Sequence, residues 1–201
     1  MPYRRTTAVQ ARLDAGRDKL FASAIEVLSE QGYRGLSIAS VAAAAGVSAG
    51  SVYTHFESKS DLVVAIFREV CGREVRAVAE ACASGDATER VTAIVETFAG
   101  RAMKNRTMAY ALLAEPVDPA VDAERLVFRR SFTAAIAGAI AAGVASGEIP
   151  AQNVDLAAAG LVGAVGEVLV GPLRPDRNHG DAADVVPDLV AFALRSLGVS
   201  S

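Results

Sequence analysis

Between residues 37 and 59 the chain gathers side chains that can hydrogen-bond to a phosphate or to the edge of a base. They are the hydroxyls of Ser37, Ser48, Ser51 and Thr54, the phenol of Tyr53, the imidazole of His55 and the ammonium of Lys59. Hydroxyl, phenol and imidazole groups donate hydrogen bonds to phosphate oxygens, and lysine adds a point charge. A serine that opens a helix brings the unpaired N–H groups of the first turn with it, and these favour an anion. The first twenty residues hold five basic side chains against two acidic ones, although the whole chain has a net charge of −3. For phosphate attraction the distribution of charge matters more than its sum. Arg4 and Arg5 belong to this basic arm, either as contacts to a polyanion or as a solvated tail. Other chemistries lack their residues: there is no nucleophile elbow, phosphate loop or dinucleotide fingerprint. His55 and His179 are the only histidines and no Cys-x-x-Cys is present, so neither a metal nor a cofactor is expected.

The elements that must position these groups read as helices throughout. The apolar fraction of 52% over 201 residues allows a sizeable core, and no Asn-Gly or Asp-Gly hairpin signal interrupts the helical period. A first helix carries Leu20, Phe21, Ala24, Ile25 and Leu28 on one face and ends at Gln31, before Gly32. Ser37 caps a short helix bearing Ile38, Val41, Ala42 and Ala45, which Gly46 stops. Ser48 caps another of about two turns, with Val47 stapling onto Val52. Ser58 caps a long fourth helix that Gly85 ends, and Asp86 with Glu89 forms a capping box for a fifth. A break falls at Asn105-Arg106, and a turn at Glu115-Pro-Val-Asp-Pro119. A long helix from Val121 to Ser146 carries Phe128, Phe132, Ile136, Ile140 and Val144 as a stripe. Asn153 caps the next helix, residues 174–184 read as a polar loop, and a last helix covers Val186 to Leu197, with its start near Pro187 left open.

The fold expected is all-α with about nine helices. Residues 1–58 form an arm and a three-helix unit, and residues 59–201 a larger helical domain. No uninterrupted apolar run reaches the roughly 20 residues of a membrane span: 134–145 is too short, and 156–173 contains Glu167. Residues 1–10 lack a signal-peptide core, so the chain is read as cytoplasmic, with no membrane partner. Cys71 and Cys82, on one helix, lie about 16 Å apart, whereas a disulfide needs less than about 7 Å. They read as buried small hydrophobes, with a redox-sensing thiol as the lesser alternative.

Two short helices joined through a glycine meet the physical need of a helix-turn-helix, whose second helix enters the major groove. The segment LSIASVAAAAGVSAGSVYTHFESKSDL, residues 36–62, resembles the TetR family of bacterial regulators. The matching positions are Ser37, Ala45, Gly46, Val47, Ser48, Gly50, Val52, Tyr53, His55, Phe56, Ser58, Lys59 and Leu62, preceded by Phe21, Ala24, Gly32 and Tyr33. The resemblance covers about residues 15–67. It implies that Ser48, Ala49, Ser51 and Thr54 lie on the exposed side of the recognition helix. It also implies that Gly50 allows close approach to DNA, and that Ser37, Tyr53, His55 and Lys59 hold the backbone. Tyr53 has a second reading as a packed turn residue, and His55 as a capping partner. Arginine, asparagine and glutamine, the bidentate base readers, are absent from this helix, so specificity leans on DNA shape or on Arg4 and Arg5.

The resemblance further implies a C-terminal ligand-binding and dimerisation domain, with the last two helices building a homodimer. The run Ala157, Ala158, Ala159, Gly160, Gly163, Ala164 and Gly166 has little bulk, which suits close approach of a second copy or internal packing. Candidate pocket residues are Phe98, Met103, Met108, Tyr110, Arg125, Phe128, Arg129, Phe132 and Glu167. Glu167 reads as a buried carboxylate that must be paired, or that meets a cationic ligand. Arg125 and Arg129 read as anion clamps or as snorkelling surface cations. The function expected is a repressor released from operator DNA by a small molecule. The alternative is a helical interaction module without DNA binding. Neither reading includes an enzyme.

Overall fold

The computed structural model describes residues 7–176 and 185–199. Among these the chain is a succession of nine helices without a strand. The first three build the N-terminal unit: α1 (Thr7–Gly35), α2 (Ile38–Ala45) and α3 (Ala49–Tyr53). α1 does not stop at Gln31. Gly32 takes φ 67° and ψ −170°, a conformation open to glycine, and the chain makes one further kinked turn to Gly35. Ser37 caps α2 by accepting from the Ser40 N–H, while the Ser40 hydroxyl accepts from the Ser37 N–H. This reciprocal pair satisfies two helix-end donors at once. Gly46 closes α2 at φ 64° and ψ 37°. Ser48 then opens α3, which lasts only five residues, shorter than the two turns its sequence suggests.

Ser58 caps α4 (Lys59–Ala81), which ends four residues before Gly85, with Cys82 as the cap that follows its last turn. α5 (Ala87–Lys104) opens on the Asp86–Glu89 capping box. Asn105 both ends α5 and caps α6 (Arg106–Leu113). α7 (Pro119–Ser146) starts at Pro119, because a first-turn proline lacks only an N–H that would have no helical partner. α8 (Val154–Leu173) and α9 (Val185–Ser196) complete the chain. Pro187 sits in the first turn of α9. Arg174 to Asp176 lie outside helix, and the remainder of the expected polar loop falls outside the described residues.

The buried side chains form two clusters. One joins α1, α2, α3 and the first half of α4 to Ala111, Leu112 and Val121; the other fills the space between α5, α7, α8 and α9. α4 supplies Leu62, Val63, Ile66, Phe67, Val70 and Cys71 to the first cluster, and Val78 to the second. α7 and α8 are long and apolar enough to cross a membrane by length and composition. Counting uninterrupted apolar runs did not anticipate this. Phe132, Ile136, Ile140, Leu161, Val165 and Leu169 are buried in the second cluster, although only 22% and 28% of the two apolar stretches is buried within the chain.

Candidate nucleic-acid interface and effector cavity

The corner between α2 and α3 is fixed from inside. Val41, Ala45, Val52 and Phe56 are buried, and the Val47 N–H donates to the Ala42 carbonyl. What remains outside is the predicted reading surface: Ala49, Gly50, Tyr53 and Thr54 are exposed and Ser51 half-exposed. The Ser48 and Ser51 hydroxyls lie 3.0 Å apart, and Thr54 Oγ1 donates to the Ser51 carbonyl at 2.6 Å. These hydroxyls still hold acceptor lone pairs turned to solvent. Gly50 is an ordinary helical residue, and a Cβ there would meet nothing nearer than Ser48 Oγ at 3.7 Å. Nothing inside the chain demands a glycine at this position.

The expected phosphate-holding groups flank that surface. Ser37 stands at the start of α2, with its hydroxyl engaged by Ser40. Tyr53 is 55% exposed, so the packed alternative for its ring does not hold. Lys59, in the first turn of α4, places Nζ 4.7 Å from the centre of the Tyr33 ring. His55 packs toward α1: a Cβ on Gly16 would lie 3.3 Å from its Nε2. Arg4 and Arg5 lie outside the described residues. One cation that the sequence did not single out is Arg17. Its guanidinium stands 5.6 Å from the Phe21 ring centre and 5.8 Å from that of Phe56. Arg17 and Phe21 are neighbours by helical spacing on α1; the contact with Phe56, just beyond α3, comes from tertiary packing and no local pattern announces it.

In the larger domain a cavity of about 590 Å³ opens between α5, α6, α7 and α8. Val91, Ile94, Val95 and Phe98 wall one side, Phe128, Phe132, Ile136 and Ile140 another, and Leu161, Val162 and Val165 a third. The Phe98 and Phe128 rings each meet Phe132 edge-on, at centroid distances of 4.9 and 4.6 Å. Such pairs are favourable beyond simple area burial. Arg129, Thr133 and Glu167 are the polar members of the lining, and Arg129 and Glu167 are exposed to solvent. Glu167 is therefore not the buried carboxylate expected. It is exposed to solvent at the open side of the cavity.

Phe98, Phe128, Arg129, Phe132 and Glu167 thus meet at one cavity. Four other candidates stand outside its lining. Met103 and Tyr110 pack against the second core, and Met108 Sδ accepts from the Ser29 hydroxyl at 3.5 Å. Arg125 donates to the carbonyls of Ala111, Leu112 and Glu115, which satisfies the open end of α6. Burial holds its guanidinium below the usual arginine range. Both cysteines are buried and free, and burial pushes the Cys71 thiol up to about 12. Among the described residues no cluster of three or more His, Cys, Asp or Glu is placed to hold a metal ion.

Comparison with known proteins follows this division. The family model described as bacterial regulatory proteins of the tetR family matches residues 20–66. A second, described as a tetracyclin repressor-like C-terminal domain, matches residues 84–170. The HTH-type transcriptional regulator CymR of Pseudomonas putida is 48% identical over 66 residues, 33% of this chain and 32% of that protein. The fatty acid metabolism regulator protein of Bacillus subtilis is 32% identical over 71 residues, 35% of this chain and 34% of that one. The matched stretch thus spans about a third of each of these curated relatives. The crystal structure of FadR from Bacillus subtilis in complex with stearoyl-CoA superposes with a TM-score of 0.72. It is 22% identical, over 92% of this chain and 98% of that one, and shares the fold. With a matching corner at one end, a matching helical body at the other and the same fold across both, the chain belongs to the tetR family of bacterial regulatory proteins.

Proposed function

We propose that this chain is a cytoplasmic DNA-binding transcriptional regulator, a repressor that leaves its operator when the apolar part of a small molecule enters the cavity. The observation that carries this is the α2–α3 corner: an internally locked pair of short helices with Ala49, Gly50, Ser51 and Thr54 left outside. In this reading those residues face base edges. Ser37, Ser48, Tyr53, His55 and Lys59 hold the phosphate backbone, with Arg4 and Arg5 reaching from the arm. Residues 1–58 are the reading unit and 59–201 the sensing unit. No catalytic role is assigned.

The operator demands two copies, since half-sites on DNA mirror a two-fold axis. We place the dimer on α8 and α9. Leu156, Val168 and Phe192 are large apolar side chains 71%, 45% and 42% exposed. Gly160 is exposed, and a Cβ on it would meet nothing within 4 Å inside the chain. That apolar and low-relief surface supports close packing of a second copy.

The effector is an amphiphile with a long apolar part. A volume of about 590 Å³ with an aromatic and aliphatic wall suits such a molecule. Arg129 at the exposed side suits an anionic head, and the FadR relative was crystallised with stearoyl-CoA. Ligand uptake tilts α4, which carries Lys59 at its DNA end, and so alters the separation of the reading helices from the roughly 34 Å that successive major grooves require. Coupling of this kind is reciprocal and typically about 1–3 kcal/mol.

The test is a gel shift, at controlled salt, with the DNA upstream of the protein's own gene. Calorimetric titration with stearoyl-CoA follows, with and without saturating operator. A specific shift, and an acyl-CoA affinity that operator weakens, are expected. Absence of any shift favours an interaction module without DNA binding. Equal affinity in the two titrations removes the coupling.

A further inference from the structure

The route from cavity to DNA described above runs through α4. A second contact joins the same two units by a side chain, and it starts at the cavity itself. Leu113 and Ala114, at the end of α6, line the cavity. The next residue, Glu115, is one of two buried polar residues among those described, at 8% exposure. Its carboxylate reaches back 82 positions in sequence to the kink of α1. Oε2 accepts from the Tyr33 N–H at 2.9 Å and Oε1 from the Arg34 N–H at 3.1 Å. A Cβ on Gly32 would stand 2.9 Å from Oε2, so the kink and the carboxylate occupy one tight space. The backbone on the Glu115 side is held in turn by Arg125, which grips three carbonyls of the α6 end.

The receiving side leads directly to the reading surface. Tyr33 Oη donates to Asp118 Oδ2 at 2.6 Å, and the Tyr33 ring carries Lys59 above it. The Leu36 N–H donates to the Tyr33 carbonyl, and Ser37, the cap of α2, follows. A carboxylate that accepts two backbone N–H bonds in a dry site is strongly directional. It transmits displacement where apolar contacts slide.

We propose that Glu115 is a positioning residue that ties the cavity wall at Leu113 and Ala114 to the α1–α2 corner, so that filling the cavity moves α2 through α1 as well as through α4. This rests on the reading that the cavity is the effector site. The tie itself can be probed without an effector or an operator.

The experiment measures amide hydrogen exchange at Tyr33 and Arg34 in the full-length chain. Four proteins are compared: wild type, Glu115→Gln, the cavity-filling Val162→Phe, and the double variant. Glutamine keeps one acceptor and sets an N–H against the other amide. Exchange at Tyr33 or Arg34 is expected to quicken by about tenfold, the factor a charge-assisted hydrogen bond carries. Val162→Phe should alter exchange at the corner when Glu115 is present and leave it unaltered in the Glu115→Gln background. A purely structural Glu115 would give two additive effects, and that result overturns the proposal. So does unchanged exchange in either single variant. Should the glutamine variant fail to fold, Glu115→Asp, too short to reach both amides, carries the same comparison. A wild-type chain that shifts no upstream DNA while showing the coupling would sink the regulator reading and leave the tie standing.

Discussion

Lys59 is the side chain whose two possible tasks separate most cleanly. It stands over the Tyr33 ring and in the first turn of α4, where it also bears the only full positive charge of the corner segment. If it holds a phosphate, Lys59→Ala should weaken operator and non-specific DNA alike. It should also reduce the slope of log affinity against log salt by about 1. Loss of affinity with an unchanged slope would mean that the stacking on Tyr33 is its whole role. Cys71 gives a prediction that does not involve DNA. Its thiol value rises from an ordinary 9.0 to about 12 because the folded chain buries it. Above pH 9 the unfolded chain releases this proton and the folded chain retains it, so the unfolded state gains. Stability should therefore fall as the pH climbs from 9 towards 12, and less steeply in Cys71→Val. Urea midpoints at three alkaline pH values measure it. At about pH 8 the same thiol should resist a colourimetric disulfide reagent until the chain unfolds.

At the scale of elements, two glycines four positions apart have opposite reasons. Gly46 needs its left-handed backbone and has open space around a Cβ; Gly50 has an unstrained helical backbone. Gly46→Ala should therefore cost about 1 kcal/mol of unfolding free energy, all of it from the backbone. Gly50→Ala should hold or raise stability and, if this side of α3 faces DNA as proposed, still lower operator affinity through the added methyl. Equal operator binding by Gly50→Ala would remove the close-approach role. Helix limits of this kind were legible because they are local. Ser37, Ser48, Ser58, Asp86, Asn105 and Asn153 each cap the helix that follows, within three residues of their own position. What escaped sequence reasoning lies across the fold. The grip of Glu115 on Tyr33 and Arg34, the use of Arg125 to close α6, and the exposure of Glu167 depend on which helix lies beside which. Periodicity states that a face is apolar without naming what covers it. The same limit divided the pocket candidates: the aromatic stripe was visible, and its separation from Met103, Met108 and Tyr110 was not.

For the whole molecule the α8–α9 surface makes the first demand. Phe192→Glu sets a charge on an exposed apolar side chain, so the isolated fold tolerates it. If the face joins two copies, sedimentation should show a monomer with unchanged helicity, and operator affinity should fall steeply because each half-site must then be bound alone. A variant that remains dimeric would move the interface elsewhere.

The path of α4 has a consequence of another kind. Its first half is buried with α1, α2 and α3, and Val78 is buried with α5 and its neighbours, so one rigid rod is pinned at both ends. No slack stretch intervenes at which the reading unit could come apart while the remainder stays whole. Calorimetry should accordingly trace a single endotherm whose van 't Hoff and calorimetric enthalpies agree. A compound lodged in the far cavity should then delay melting of the α2–α3 corner, although it makes no contact there.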